Sequence, residues 1–309
     1  MLQKVSRIDG NGLKGGGSSG LARLADGMTI EINPRDTVKH VDLLKDLPRG
    51  TRVFVTRLPK GSFEESLAAC MVLRDLGLAP VPHVTARTTI SLADLGRELE
   101  LFATQAGVEQ ILMIAGTVEP QGAFADTGPI FGSNVLASSG LKRIFVAGHP
   151  EGHPDANADA LHRALMLKNE FAARTGLAVE IVTQFFFDAA PIVAWEKRIR
   201  ASGNRLPIHA GLHGVTGITS LVKHGMACGV GASLKVLSAR ASNLLQMAML
   251  QSPDDLALGL ARAIEVDPQS LLGHVHLFPL GGLERTIRWG NTVQQGQYDL
   301  KGDVLKVQI

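Results

Sequence analysis

Along the chain, short apolar runs rich in β-branched residues alternate with longer amphipathic stretches, and the alternation repeats. The runs are "MTIEI" (28–32), "RVFVT" (52–56), "PVPHV" (80–84), "QILMIA" (110–115), "RIFVA" (143–147), "VEIVTQFFF" (179–187), "LPIHA" (206–210) and "HVHLF" (274–278). Each has the length and composition of a strand. Between them the apolar period lengthens to that of a helix. Ser62-Phe63-Glu64-Glu65 has the form of a capping box, after which Phe63, Leu67 and Met71 recur at helical spacing until Gly77. Ser91 and Asp94 open a similar stretch, in which Leu95, Leu99 and Phe102 share one face. Eight strand–helix units predict an α/β fold, a (β/α)8 TIM barrel. A doubly wound sheet is the alternative, and it gains nothing from the eighth unit. The long interval 211–273 predicts extra helices before the last strand.

With 309 residues, 45% of them hydrophobic and 19% charged, the chain has material for one large core. The expected organisation is a single catalytic domain over residues 27–309. Residues 1–26, which include "GNGLKGGGSSG", read as a flexible lead-in. That glycine run is not a phosphate-binding loop, because no strand precedes it and no Walker Lys-Ser/Thr follows. A formal net charge of +2 gives no electrostatic footprint for nucleic acid. No apolar run approaches the roughly 20 residues that span a bilayer, and the N-terminus lacks the apolar centre of a secretory signal. Cys70 and Cys228 form no CxxC pair. The expectation is a cytoplasmic protein without a membrane partner.

In a barrel of this kind the chemistry sits at the C-terminal ends of the strands. Those ends carry Glu31, Thr56, His83, Gly116-Thr117, His149, Gln184 with Asp188, His209 and His276. Singly each has an ordinary explanation: Glu31 could point into water on an alternating strand, and a histidine could be a satisfied core residue. Their convergence on one rim points to a site. A divalent metal is one reading of the histidines, but no HxH follows the first strand and no HExxH occurs, so no metal is assigned. A pterin or cofactor site is another. Gln184 offers an amide donor and acceptor to a heterocycle edge, and Phe185-Phe186-Phe187 offers apolar wall, although alternation prevents all three from facing one way. A lone carboxylate at the mouth suits general acid–base work, more so if burial raises its pKa.

At this point the chain resembles the methylenetetrahydrofolate reductase family. The resemblance is carried by "TIEINP", "VFVT", "APVPHVT" and "VTQFFFD", with support from "HPEGHP" (149–154) and "HVHLFPL" (274–280). It spans residues 28 to about 285, the catalytic barrel of the short bacterial form. It implies interconversion of 5,10-methylenetetrahydrofolate and 5-methyltetrahydrofolate by hydride transfer, with FAD as cofactor and NAD(P)H as reductant. Carried over, Glu31 protonates N10, and Gln184, Thr117 and Ile218 lie against the folate. Thr56, Arg57, His83, Ala115, Gly116, Thr117, His149 and His153 would lie against the cofactor. Arg57 and Arg285 are candidate anchors for phosphate or the folate tail. The implied partners are tetrahydrofolate derivatives, with a homo-oligomer as the candidate assembly. Departures are equally specific. The family's Arg-Gly-Asp after strand four is Ala115-Gly116-Thr117 here, its tyrosine before Pro-Glu is His149, and its stacking phenylalanine falls near Ile218. Its flavin-holding Asp and Lys align near Arg163 and Glu170. A pterin-dependent methyltransferase and a non-catalytic folate-binding barrel are the competing readings.

Overall fold

In the computed structural model of the chain, residues 18–227 and 250–309 are described. The strands, in chain order, are β1 (Thr29–Ile32), β2 (Arg52–Val55), β3 (Ala79–Thr85), β4 (Gln110–Ile114), β5 (Arg143–Gly148), β6 (Ala178–Phe186), β7 (Ile208–His213), β8 (Thr216–Gly217), β9 (Leu250–Gln251) and β10 (Leu272–Phe278). β1 to β7 and β10 form a closed parallel barrel in the order β1-β10-β7-β6-β5-β4-β3-β2. The described helices are α1 (Ser19–Ala25), α2 (Pro34–Lys39), α3 (Val41–Leu44), α4 (Phe63–Asp75), α5 (Leu92–Ala106), α6 (Gly128–Gly132), α7 (Ala158–Thr175), α8 (Ala189–Ala201), α9 (Ile218–Ala227), α10 (Asp254–Val266) and α11 (Leu283–Gln294). A C-terminal hairpin, β11 (Tyr298–Lys301) with β12 (Val304–Val307), follows. All eight expected barrel strands are present, and α9 and α10 occupy the long interval before the last one.

Alternation along each strand separates two cores. Ile30, Ile32, Val53, Val55, Ile111, Met113, Ile144 and Val146 pack outward against the helices, whereas Phe54, Val81, Leu112, Phe145 and Val182 fill the barrel interior. Burial on both faces is why these strands read as nearly continuous apolar runs. The α4 capping box is present in both directions, Glu65 N–H to Ser62 Oγ at 3.2 Å and Ser62 N–H to Glu65 Oε2 at 3.3 Å. The face that α4 buries differs from the expected one. Its fully buried residues are Ser66, Ala69, Cys70 and Leu73, while Phe63, Leu67 and Met71 pack at the flank. Small side chains let the helix lie close to the sheet. On α5 the expected face, Leu95, Leu99 and Phe102, is the buried one.

The segment read as a lead-in contains structure. Ser18 caps α1, whose Leu21 and Leu24 are buried in the outer core. Glu265 of α10 accepts from Ser18 Oγ at 2.6 Å and from Gly20 N–H at 2.9 Å. A Cβ on Gly20 would lie 2.2 Å from the Ala261 carbonyl oxygen, so glycine here permits the approach of α1 to α10. A glycine that reads as linker in sequence is a packing residue in space. The ordered unit therefore begins before residue 27, and residues 1–17 lie outside the described residues.

A second departure concerns His209. It lies near the N-terminal end of β7, which continues to His213, and so is remote from the mouth. There Glu180 accepts from Arg143 Nε at 2.6 Å and its other oxygen lies 2.6 Å from His209 Nε2. Arg143 also donates to Gln110 Oε1 at 3.1 Å, and Arg52 Nη1 stands 4.0 Å from Glu180. This charged cluster closes the N-terminal end of the barrel.

Candidate active site at the barrel mouth

Because Ile30 and Ile32 pack outward, Thr29 and Glu31 face the barrel interior. Glu31 Oε2 lies 3.4 Å from His83 Nε2 and 3.7 Å from His276 Nε2. Both histidine nitrogens are buried with no hydrogen-bond partner of their own. Phe54 presents its ring to both imidazoles, with centroids 6.2 Å from His83 and 4.6 Å from His276, and forms a dry floor beneath the carboxylate. The Glu31 side chain retains 21% exposure, which leaves it reachable from solvent.

The electrostatics reverse the expectation for a buried acid. Burial alone would raise the Glu31 carboxyl, but the imidazoles of His276 and His83 outweigh it and hold the pKa at about 2. Burial lowers the pKa of His276, opposed by its contact with Glu31. The ligand-free protein therefore presents an ionised carboxylate between two imidazoles, the base form of an acid–base group.

Gln184 sits where β6 breaks register, between Val182 and Phe185. Thr183 Oγ1 donates to the Gln184 carbonyl at 2.9 Å and accepts from Gly211 N–H at 2.9 Å. A Cβ on Gly211 would fall 2.5 Å from the Gln184 carbonyl oxygen. Gly211 thus lets β7 press against the irregularity that presents Gln184. We expect Gly211→Ala to displace that segment, costing roughly 1–3 kcal/mol through overpacking. Its readout is a lowered melting temperature; an unchanged value would refute this role. The three phenylalanines divide as alternation requires. Phe185 packs with Phe187 and Phe278 at 5.8 and 5.6 Å, whereas Phe186 joins the outer core. Asp188 caps α8 through Ala190 N–H at 3.0 Å.

The β2 and β5 ends supply the remaining polar groups. Thr56 Oγ1, Arg57 Nε and His149 Nδ1 are buried without hydrogen-bond partners. His153 sets its ring edge-on to His149 at 5.0 Å, and burial, followed by His153 and Lys168, lowers the His149 pKa to about 4. Gly116 adopts φ +91 after β4, Ala115 gives its carbonyl to Arg87 N–H at 2.9 Å, and Thr117 is exposed. Donors left unsatisfied in a buried setting suit a ligand rich in phosphate and hydroxyl oxygens. Arg163 and Glu170 are exposed on α7, and the cation withdrawn from solvent on that helix is Lys168, whose pKa burial lowers to about 8. Ile218 is buried at the start of α9. Arg285 is engaged by the Val215 carbonyl at 3.2 Å rather than standing free as an anchor.

Three residues of this region carried no recognised signal in the sequence. Thr29 bonds His276 from within β1, His213 ends β7 and bonds the Gly214 carbonyl at 2.9 Å, and the charge of Lys168 helps to lower the His149 pKa. Period-two alternation with Glu31 could have located Thr29; Lys168 sits in a helix whose polar residues do not mark its inner side. Among the described residues no group of three or more His, Cys, Asp or Glu could hold a metal ion. No described helix is long and apolar enough to cross a membrane.

The family profile described as methylenetetrahydrofolate reductase matches residues 33–239. Methylenetetrahydrofolate reductase 1 of Schizosaccharomyces pombe is 35% identical over 88 residues, 28% of this chain and 14% of that protein. The 5,10-methylenetetrahydrofolate reductase of Pectobacterium carotovorum subsp. carotovorum is 29% identical over 147 residues, 48% of this chain and 47% of that one. The chain thus matches about half the length of one relative and much less of the other. Among solved structures, a Clostridium thermocellum protein that binds two copies of 5-methyl-5,6,7,8-tetrahydrofolic acid has a similar fold. The TM-score is 0.60 at 11% identity, over 89% of this chain and 97% of that one.

Proposed function

The chain belongs to the methylenetetrahydrofolate reductase family, and from that premise we propose that it interconverts 5-methyltetrahydrofolate and 5,10-methylenetetrahydrofolate, with Glu31 moving the proton at N10. The observation that carries this reading is the Glu31 carboxylate held between His83 and His276 at the mouth of the barrel. As 5-methyltetrahydrofolate is oxidised, N10 must lose a proton while the ring closes, and an ionised carboxylate accepts it. In the reverse direction the neutral acid returns the proton and, once ionised, stabilises the adjacent iminium cation. Gln184 orients the pterin by its amide, and Phe185 and Phe278 supply apolar wall. Ile218 and Thr117 border the folate in the same reading.

The unsatisfied donors at the β2 and β5 ends fit FAD. Thr56, Arg57, His149 and His153 would hold it, with His83 and the Ala115-Gly116 turn beside them and Lys168 supplying positive charge. When bound, FAD supplies hydride transfer to or from the methyl carbon, and NAD(P)H is the reductant in the folate-reducing direction. Thr117 in place of the family's acid removes a negative charge from that region and favours reduction of the cofactor. The visible spectrum of the purified protein tests the whole reading. It should show the yellow of oxidised flavin, with or without added FAD, and methyltetrahydrofolate should bleach it under anaerobic conditions. A protein that stays colourless with added FAD overturns the flavin assignment. Methyl transfer without redox change would identify a methyltransferase, and tight folate binding without turnover a non-catalytic barrel.

A further inference from the structure

Thr29 and His276 are both fully buried and face each other across the β1–β10 pairing, in register. Thr29 Oγ1 lies 2.7 Å from His276 Nδ1, and this is the hydroxyl's one partner among the described residues. On the far side of the same ring, Nε2 faces Glu31 Oε2 at 3.7 Å. One imidazole therefore stands between a hydroxyl that can donate or accept and a carboxylate that, once ionised, only accepts. If Nδ1 carried the proton, the Nε2 lone pair would face the carboxylate in a buried, low-dielectric site, and the hydroxyl proton would have no acceptor. If Thr29 donates to Nδ1, both difficulties vanish and Nε2–H points at Glu31.

We infer that Thr29 is a positioning residue for the proton chemistry: its hydroxyl fixes His276 in the Nε2–H tautomer and so holds Glu31 as a ready base. This rests on the reading of Glu31 given above. The ionisable groups facing Glu31 are His83 from β3 and His276 from β10. Loss of the His276 donor leaves His83 alone to stabilise the anion. The ring nitrogen that carries the proton is thus decided by the bond made at the other nitrogen.

The test compares Thr29→Val, which keeps shape and β-branching but lacks the donor, with Thr29→Ser, which keeps the donor. Nitrogen-15 NMR of the His276 ring in the ligand-free protein should show Nε2 protonated in the wild type and in Thr29→Ser, with that preference lost in Thr29→Val. Thr29→Val should lower kcat roughly tenfold, the worth of about one hydrogen bond, with KM for methyltetrahydrofolate little changed. The acid limb of kcat/KM should move to higher pH, because the carboxylate has lost a stabilising donor. Thr29→Ser should restore both. Wild-type His276 protonated on Nδ1, or Thr29→Val with wild-type tautomer, kcat and pH profile, would overturn the inference. Full turnover in Glu31→Gln would instead remove the reading beneath it, whatever the tautomer. Should Thr29→Val fail to fold, the wild-type and Thr29→Ser spectra still decide the tautomer.

Discussion

Glu31→Gln is expected to bind methyltetrahydrofolate about as well as the wild type and to turn it over roughly 10²–10⁴-fold more slowly, the range set by general acid–base catalysis. The amide is nearly the same size and can still meet the pterin, but it cannot take a proton from N10 or return one. His83 Nε2 and His276 Nε2 gain a neutral neighbour in place of a carboxylate. Folding should therefore survive the change, because the amide oxygen can still face the two imidazoles and no charge is left unpaired beside them. Binding is measured by calorimetry or fluorescence and turnover by methyltetrahydrofolate oxidation with an electron acceptor. Loss of both together would mean that Glu31 serves binding, and retained turnover would move the proton chemistry to another group. The pH dependence follows from the base form. With Glu31 held at about 2, the carboxylate is present throughout the neutral range, so its titration should not limit folate oxidation between pH 5 and 8.

The eight barrel strands were legible because the same spacing repeats and because strands buried on both faces stay apolar throughout. Glu31 was legible because a carboxylate interrupts its run near the C-terminal end, whereas Glu180 interrupts another run near its start and lies in the plug. What the sequence could not carry was depth within the barrel. "LPIHA" places His209 at a strand end only if the strand stops there, and β7 runs on to His213. Three further residues exchange a mouth histidine for one in the opposite plug. Nor does a carboxylate in an apolar strand disclose the sign of its pKa shift. Burial and imidazole contacts act in opposite senses on Glu31, and the balance depends on which side chains strands β3 and β10 bring to it. The glycine–serine run failed as a guide because Gly20 is indistinguishable from linker glycine until α10 is packed against it. On the helix after β5, an insertion blurs the register, and only the fold separates exposed Arg163 and Glu170 from sheltered Lys168.

Glu180→Ala should produce the largest loss of stability, about 3–5 kcal/mol, while leaving the mouth chemistry in place. Glu180 is the carboxylate on which Arg143 and His209 converge, with Arg52 close by. Removing it leaves two partly exposed guanidinium groups without the anion between them and the buried His209 without its partner, and deleting one partner is what makes buried sets costly to break. At roughly 2–4 °C per kcal/mol, the melting temperature should fall by about 10 °C. Glu180→Gln, whose single amide oxygen can still accept from Arg143 while its NH2 faces His209, should lose less. The pH dependence identifies the cause. Burial opposes ionisation of Glu180, but His209, Arg143 and Arg52 prevail and hold its pKa at about 2, below the ordinary 4.5. Its contribution is thus complete above about pH 4.5 and is lost as pH falls towards 2. His209 is held neutral by burial at about 4, against an ordinary 6.5, so a second loss begins as pH drops below 6.5. Glu180→Ala should flatten the stability gain that the wild type makes between pH 2 and 4.5, leaving the share that Glu31, also held at about 2, contributes. Thermal melts across that range measure it, and a variant with wild-type stability at pH 7 and an unchanged acid slope would show the plug to be dispensable. Because the plug lies at the end of the barrel opposite Glu31, folate binding measured well below the lowered melting temperature should remain, which separates a stability residue from a catalytic one.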